Sequence, residues 1–129
     1  MFNRLSAYSP QALAVLRIMT GLLFLEHGTQ KMFNFPAATT PAPPGMETIM
    51  FVTSVFEVVG GLLITVGLLT RPVAFILSGM MAIAYFMAHA PQNFFPVNNM
   101  GDSAILFCFV FLYLFFAGPG AWSVDASRE

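Results

Sequence analysis

The chain has 129 residues, 57% hydrophobic and 15% aromatic, with only 9% charged and a formal net charge of −1, whereas an ordinary soluble domain carries roughly 25% charged residues. That balance excludes a water-exposed globule and leaves no electrostatic case for nucleic acid as a partner; with a mean hydropathy of +0.77, the lipid bilayer is the natural solvent. A single cysteine, Cys108, excludes an intrachain disulfide, a CxxC redox pair and a cysteine-built metal centre.

Proline divides the rest, because it lacks an amide donor and disrupts helix interiors. The nine prolines leave four apolar, proline-free stretches, about Gln11 to Phe33, Thr48 to Leu69, Val73 to Ala90 and Ser103 to Ala117. The pattern predicts an all-α fold: a four-helix transmembrane bundle, up-down-up-down and antiparallel, forming one integral membrane domain over residues 1–129. The first stretch begins at Ser9-Pro10, read as an N-cap followed by proline at the first helical position. Arg17 interrupts its apolar run and no small-residue cleavage site precedes Glu26-His27, so it reads as a span rather than a cleaved signal peptide. A loop rich in Pro, Ala and Thr follows from Asn34 to Met46. The tight link from Leu69 to Val73 predicts a hairpin between the second and third helices, with Arg71-Pro72 starting the third. Gly101-Asp102-Ser103 supplies caps for the fourth helix, Asp102 being read as its N-cap, and Gly118-Pro119-Gly120 stops it. The fourth stretch is short for a hydrocarbon core about 30 Å thick. Arg4, Arg71 and Arg128 fall on one side and Lys31 on the other, which predicts a bacterial cytoplasmic-membrane protein with both termini in the cytoplasm.

Ionisable groups inside spans are the informative ones, since each costs about 2.5–3.5 kcal/mol at a helix centre on insertion scales and so turns toward partners. Arg17, Gly21, Phe24, Gly28 and Lys31 share one stripe of the first helix, and Glu57, Gly60, Ile64 and Gly67, with Gly61 beside them, share one of the second. Small residues of this kind admit a close neighbour, so the stripes are expected to face each other. At 1.5 Å per residue, Arg17 lies roughly 10 Å inside the helix end at Pro10 and Glu57 roughly 14 Å inside the end near Thr48, which predicts an Arg17–Glu57 ion pair. Glu26, almost opposite Arg17 on its helix, is expected to meet another helix or the headgroups.

Toward the outer face Glu26, His27, Gln30, Lys31, His89, Gln92, Asn93, Asn98, Asn99 and Asp102 converge in predicted height, and Ser78, Ala82, Tyr85 and His89 form a stripe leading to that layer. The candidate ligand-binding or structural polar core is therefore Arg17, Glu57, Lys31, His27, His89, Tyr85 and Glu26, with Gly21, Gly28, Gly60, Gly61 and Gly67 for helix packing. His27 and His89 sit on separate helices, and no HExxH-type motif occurs, so no metal site is expected. Cys108, between Phe107 and Phe109, reads as a small hydrophobe.

Leu16-Arg17-Ile18 through Gly21, Phe24, His27-Gly28 and Lys31-Met32-Phe33, then Glu57-Val58-Val59-Gly60-Gly61, Gly67-Leu68-Leu69-Thr70-Arg71-Pro72 and Gly118-Pro119-Gly120-Ala121-Trp122-Ser123-Val124-Asp125, resemble the helix and hairpin motifs of the DoxX family of small bacterial membrane proteins. The resemblance implies a four-helix protein of the cytoplasmic membrane, with recurring charged positions at Arg17, Lys31, Glu57 and Arg71. It also implies links to membrane oxidoreductase systems, the family's name coming from a subunit associated with thiosulfate:quinone oxidoreductase.

Three functions compete at this point. One is a non-catalytic or accessory component that anchors or stabilises a redox protein partner, alone or as a homo-oligomer. The second is a redox subunit binding quinone or another small apolar ligand, with Arg17 and Glu57 ordering the site and His27 or His89 handling protons, histidine titrating nearest neutrality. The third is a small-solute carrier, which requires an oligomer because four helices line too narrow a route.

Overall fold

A computed structural model describes residues 2–128, and every regular element among them is helical. A 3₁₀ segment, Phe2–Tyr8, runs directly into α1 (Ser9–Phe33); α2 (Glu47–Val66) and α3 (Thr70–Ala84) follow, and a π-helical turn, Tyr85–His89, continues α3. A four-residue α4 (Pro96–Asn99) precedes α5 (Asp102–Ala117), and a 3₁₀ turn covers Ala126–Arg128. Three helical stretches, Phe2–Phe33, Glu47–Val66 and Thr70–His89, are long and apolar enough to cross a bilayer, and Asp102–Ala117 is a shorter apolar helix.

The helix ends depart from the expected caps. Ser9 and Pro10 both lie inside α1, whose cap position is Tyr8, because the 3₁₀ segment already supplies the preceding turn. Asp102 is likewise inside the first turn of α5, beyond a cap at Gly101, where its charge complements the helix dipole. α3 begins a residue before Arg71, at Thr70, after Leu69 in a left-handed conformation. Gly67 ends α2 at φ +71: its N–H and that of Leu68 return to Ile64 O and Leu63 O at 3.1 and 2.9 Å, a Schellman closure that a side chain would strain.

The chain packs as two compact units, Met1–Leu68 with Pro119–Glu129, and Leu69–Gly118. In the first, α1 and α2 are antiparallel and their backbones touch. A Cβ placed on Gly21 falls 2.7 Å from Thr65 N and 2.9 Å from Gly61 O; one on Gly28 falls 2.8 Å from Val58 N. The buried face of α1 is Ala14, Arg17, Thr20, Gly21, Phe24 and Gly28, and that of α2 is Ser54, Glu57, Gly60, Gly61 and Ile64. These are the stripes that helical spacing predicts, and they do face each other.

The second unit pairs α3 with α5 through larger side chains. Ala74, Leu77, Ser78 and Met81 of α3 and Ala104, Phe111 and Leu114 of α5 are buried, and the Phe75 and Phe115 rings pack at 5.1 Å. In both units the opposite faces keep residues such as Leu16, Leu23, Val59, Phe75, Leu106 and Phe109 exposed, an arrangement suited to lipid rather than water.

Candidate functional site

Arg17 is fully buried (0% exposed), and its partner is backbone. Its Nη1 donates to the carbonyls of Pro119 and Ala121, the latter at 3.1 Å, and Nη2 to Trp122 O at 2.8 Å. The acceptors exist because Pro119–Trp122 is irregular chain whose carbonyls have no helical donor. The same segment is sewn to both helices: Ala121 N–H donates to Pro10 O at 3.0 Å, and Val124 and Asp125 donate to Val66 O and Gly67 O at 3.1 and 2.9 Å. Asp125 supplies the negative charge acting on Arg17.

The expected Arg17–Glu57 pair is therefore corrected. Gly21 lies against Gly61 and Thr65, and Gly28 against Glu57 and Val58, so Arg17 is level with Gly67, whose Cβ position is 3.1 Å from Arg17 Cζ. Glu57 is level with Gly28, eleven residues along α1, or roughly 16 Å. Counting depth from each helix end holds only for flush ends, whereas α1 has 25 residues, α2 has 20, and they are staggered.

Glu57 pairs instead with Lys31. Lys31 Nζ stands 2.6 Å from Glu57 Oε1, with 28% of the lysine side chain exposed, while Glu57 is 3% exposed. Glu57 Oε2 is buried and has no hydrogen-bond partner. His27, one helical turn before Lys31 on α1 and exposed, acts electrostatically on Glu57. Glu26 is exposed, away from this pair, as its angular position predicts.

In the second unit the hub is Asn99, 1% exposed. Its Nδ2 donates to Tyr85 Oη at 3.2 Å and to Asn93 O at 2.9 Å, its Oδ1 accepts from Gly101 N at 2.8 Å, and His89 Nδ1 lies 2.9 Å from its carbonyl. The π turn, closed by Ala90 N–H on Tyr85 O at 2.9 Å, carries Tyr85 and His89 with their rings stacked at 6.2 Å; single π turns of this sort recur at functional positions. Ser78 Oγ donates to Cys108 O at 2.8 Å, and Arg71 Nη1 donates to Phe115 O and Phe116 O at 2.9 and 2.6 Å, closing the end of α5. The seven predicted core residues are thus divided: Arg17, Glu26, His27, Lys31 and Glu57 in one unit, Tyr85 and His89 in the other. Sequence reasoning missed the carbonyls that hold Arg17 and the central role of Asn99. Among the described residues no three His, Cys, Asp or Glu side chains cluster as a metal-binding group.

Apolar helices of crossing length with charges turned inward define an integral membrane protein. The chain belongs to the DoxX family, whose model matches residues 12–90. It is 42% identical to an uncharacterized protein of Haemophilus influenzae over 127 residues, covering 95% of each chain. It is 28% identical to an uncharacterized membrane protein of Mycobacterium tuberculosis, over 94% of this chain and 83% of that one. No solved structure matches it.

Proposed function

We propose that this DoxX-type protein is an accessory component of a membrane oxidoreductase system in the bacterial cytoplasmic membrane. In this reading it forms one integral domain of four crossings, up-down-up-down, with both termini cytoplasmic, and it holds or stabilises a redox partner. The observation supporting it is that the interior polar groups are spent largely on the protein itself: Arg17 on three carbonyls, Lys31 on Glu57, and Asn99 on Tyr85, Asn93 and Gly101. Such economy suits a rigid membrane scaffold. The test is mild extraction of the tagged protein from native membranes after crosslinking. Recovery of one oxidoreductase complex, and loss of that complex from membranes when the gene is deleted, is the expected outcome; membrane oxidoreductase levels and activities unchanged by the deletion would sink the proposal.

A second reading, quinone or a similar small apolar ligand bound beside Glu57, draws support from a departure from this economy, the buried Oε2 without a hydrogen-bond partner, an exception that Arg17 Nε and Gln11 Oε1 share. Its test is mass spectrometry of the native protein: quinone that co-purifies with wild type and is lost from Glu57→Gln supports it, and equal retention by the variant contradicts it.

A further inference from the structure

We propose that Glu57, Lys31 and His27 form a proton-exchange site, in which Glu57 holds a proton inside the α1–α2 pair and Lys31 delivers it. The inference rests on neither reading of the function above.

The geometry has three parts. Glu57 is 3% exposed, and only one of its carboxyl oxygens has a partner. An ionised carboxylate spreads its charge over both oxygens, so a bare buried Oε2 is far costlier for the anion than for the neutral acid, in which it is an ordinary carbonyl oxygen. Secondly, Lys31 Nζ is 2.6 Å from Oε1, close enough to transfer a proton without rearrangement. The Nζ–H bond breaks, an Oε1–H bond forms, and the pair passes from ammonium and carboxylate to amine and acid with no net change in charge. Thirdly, Lys31 is 28% exposed two residues from the end of α1, so its amine can be recharged from outside, by water or by the imidazolium of His27 at the i−4 position on the same face.

The titratable groups acting on Glu57 are Lys31 and His27, both from α1. α2 carries no charge besides Glu47, ten residues away in its first turn, and Glu57 itself. The C-terminal segment brings Asp125 only to the Arg17 end of the pair. The site therefore opens to one side of the membrane, at the C-terminal end of α1.

Arginine at position 31 separates this from a purely structural ion pair, since a guanidinium keeps the charge and the hydrogen bond but does not give up its proton. The experiment is infrared spectroscopy of the full-length protein in lipid, following the carbonyl stretch of a protonated carboxylic acid and its shift after transfer to D₂O. In wild type a glutamic acid band is expected that exchanges promptly and disappears in E57Q. In K31R the fold is expected to persist and the acid band either to be lost, the guanidinium holding Glu57 as carboxylate, or to exchange at least tenfold more slowly, with H27Q intermediate. Should E57Q not fold, replacing Glu26, Glu47 and Glu129 by glutamine leaves Glu57 the sole glutamate and assigns the band. Absence of a protonated glutamic acid from wild type at every pH the fold survives overturns the proposal, as does wild-type exchange in folded K31R. Should K31R not fold, the assigned wild-type band decides by its presence or absence.

Discussion

The two helix pairs solve the same problem with different chemistry. α1 and α2 bring their backbones together over Gly21, Gly28 and Gly61 and enclose a full guanidinium and a carboxyl group. α3 and α5 pack through the side chains of Leu77, Met81, Phe111 and Leu114, and the buried hydrogen bonds of their unit are made by neutral side chains, Ser78 and Asn99. Arginine appears in both pairs, but Arg71 is exposed and closes a helix end, whereas Arg17 is enclosed. Where charge is buried, single-residue changes carry large penalties; where only neutral groups are, the same fold tolerates more. The first pair thus concentrates both the stability at risk and the groups capable of proton chemistry.

The largest effect that difference predicts follows from removing Arg17's acceptors. Ending the chain after Gly118 takes away the carbonyls of Pro119, Ala121 and Trp122 and leaves a guanidinium buried without them. A loss of about 3–5 kcal/mol is expected, the range for breaking a buried charge interaction from one side. Unfolding measured by steric trapping in bicelles checks it. Arg17→Lys should recover only part of the loss, because an ammonium lacks the fork that reaches three carbonyls. A truncated chain as stable as the full one would remove the contrast between the pairs.

Lys31→Met comes next, at about 2–3 kcal/mol, below the full range because Glu57 escapes part of the penalty by taking up a proton. The double variant Lys31→Met, Glu57→Leu should be closer to wild type than Lys31→Met alone, since it strands no charge. Chemical denaturation of both in detergent micelles checks the order. In the other pair, Asn99→Ala should cost about 2 kcal/mol by leaving Gly101 N–H and Tyr85 with fewer partners. It should also increase amide exchange at Gly101 while leaving α1 and α2 protected, a pattern hydrogen-exchange mass spectrometry resolves.

The sequence disclosed the helical class and both glycine stripes, because proline spacing and a helical repeat of small residues are local signals. It placed Arg17 and Glu57 on facing stripes yet paired them wrongly. Which turn of α1 meets which turn of α2 depends on stagger, and stagger is set by backbone contacts at Gly21, Gly28 and Gly61 and by the 34–46 connection, none of which has a residue code for depth. The real acceptors of Arg17 were hidden for a related reason: they are carbonyl oxygens, and every residue has one. Gly118-Pro119-Gly120 reads as a stop signal, although the same residues announce irregular chain with free carbonyls, which a buried arginine requires. Asn99 stands in the sequence only as one member of a polar layer, because an asparagine near a helix end is commonplace until the π turn brings Tyr85 and His89 to it.

The smallest predicted effect isolates backbone proximity from charge. Gly21→Ala introduces a methyl group where Thr65 N lies 2.7 Å away, so the helices must separate, and about 1–2 kcal/mol should be lost as in other overpacked interiors. Gly79 on α3 is chemically the same residue in the same kind of helix, yet a Cβ there meets nothing within 4 Å. Gly79→Ala should therefore lie within about 0.5 kcal/mol of wild type, or gain slightly from alanine's higher helix propensity. Parallel melting of the two variants under one detergent condition reads the difference directly. Equal losses at both positions would mean that a methyl group at Gly21 meets no closer neighbour in the bilayer than one on the exposed face of α3, and that the first pair is distinguished only by its charges.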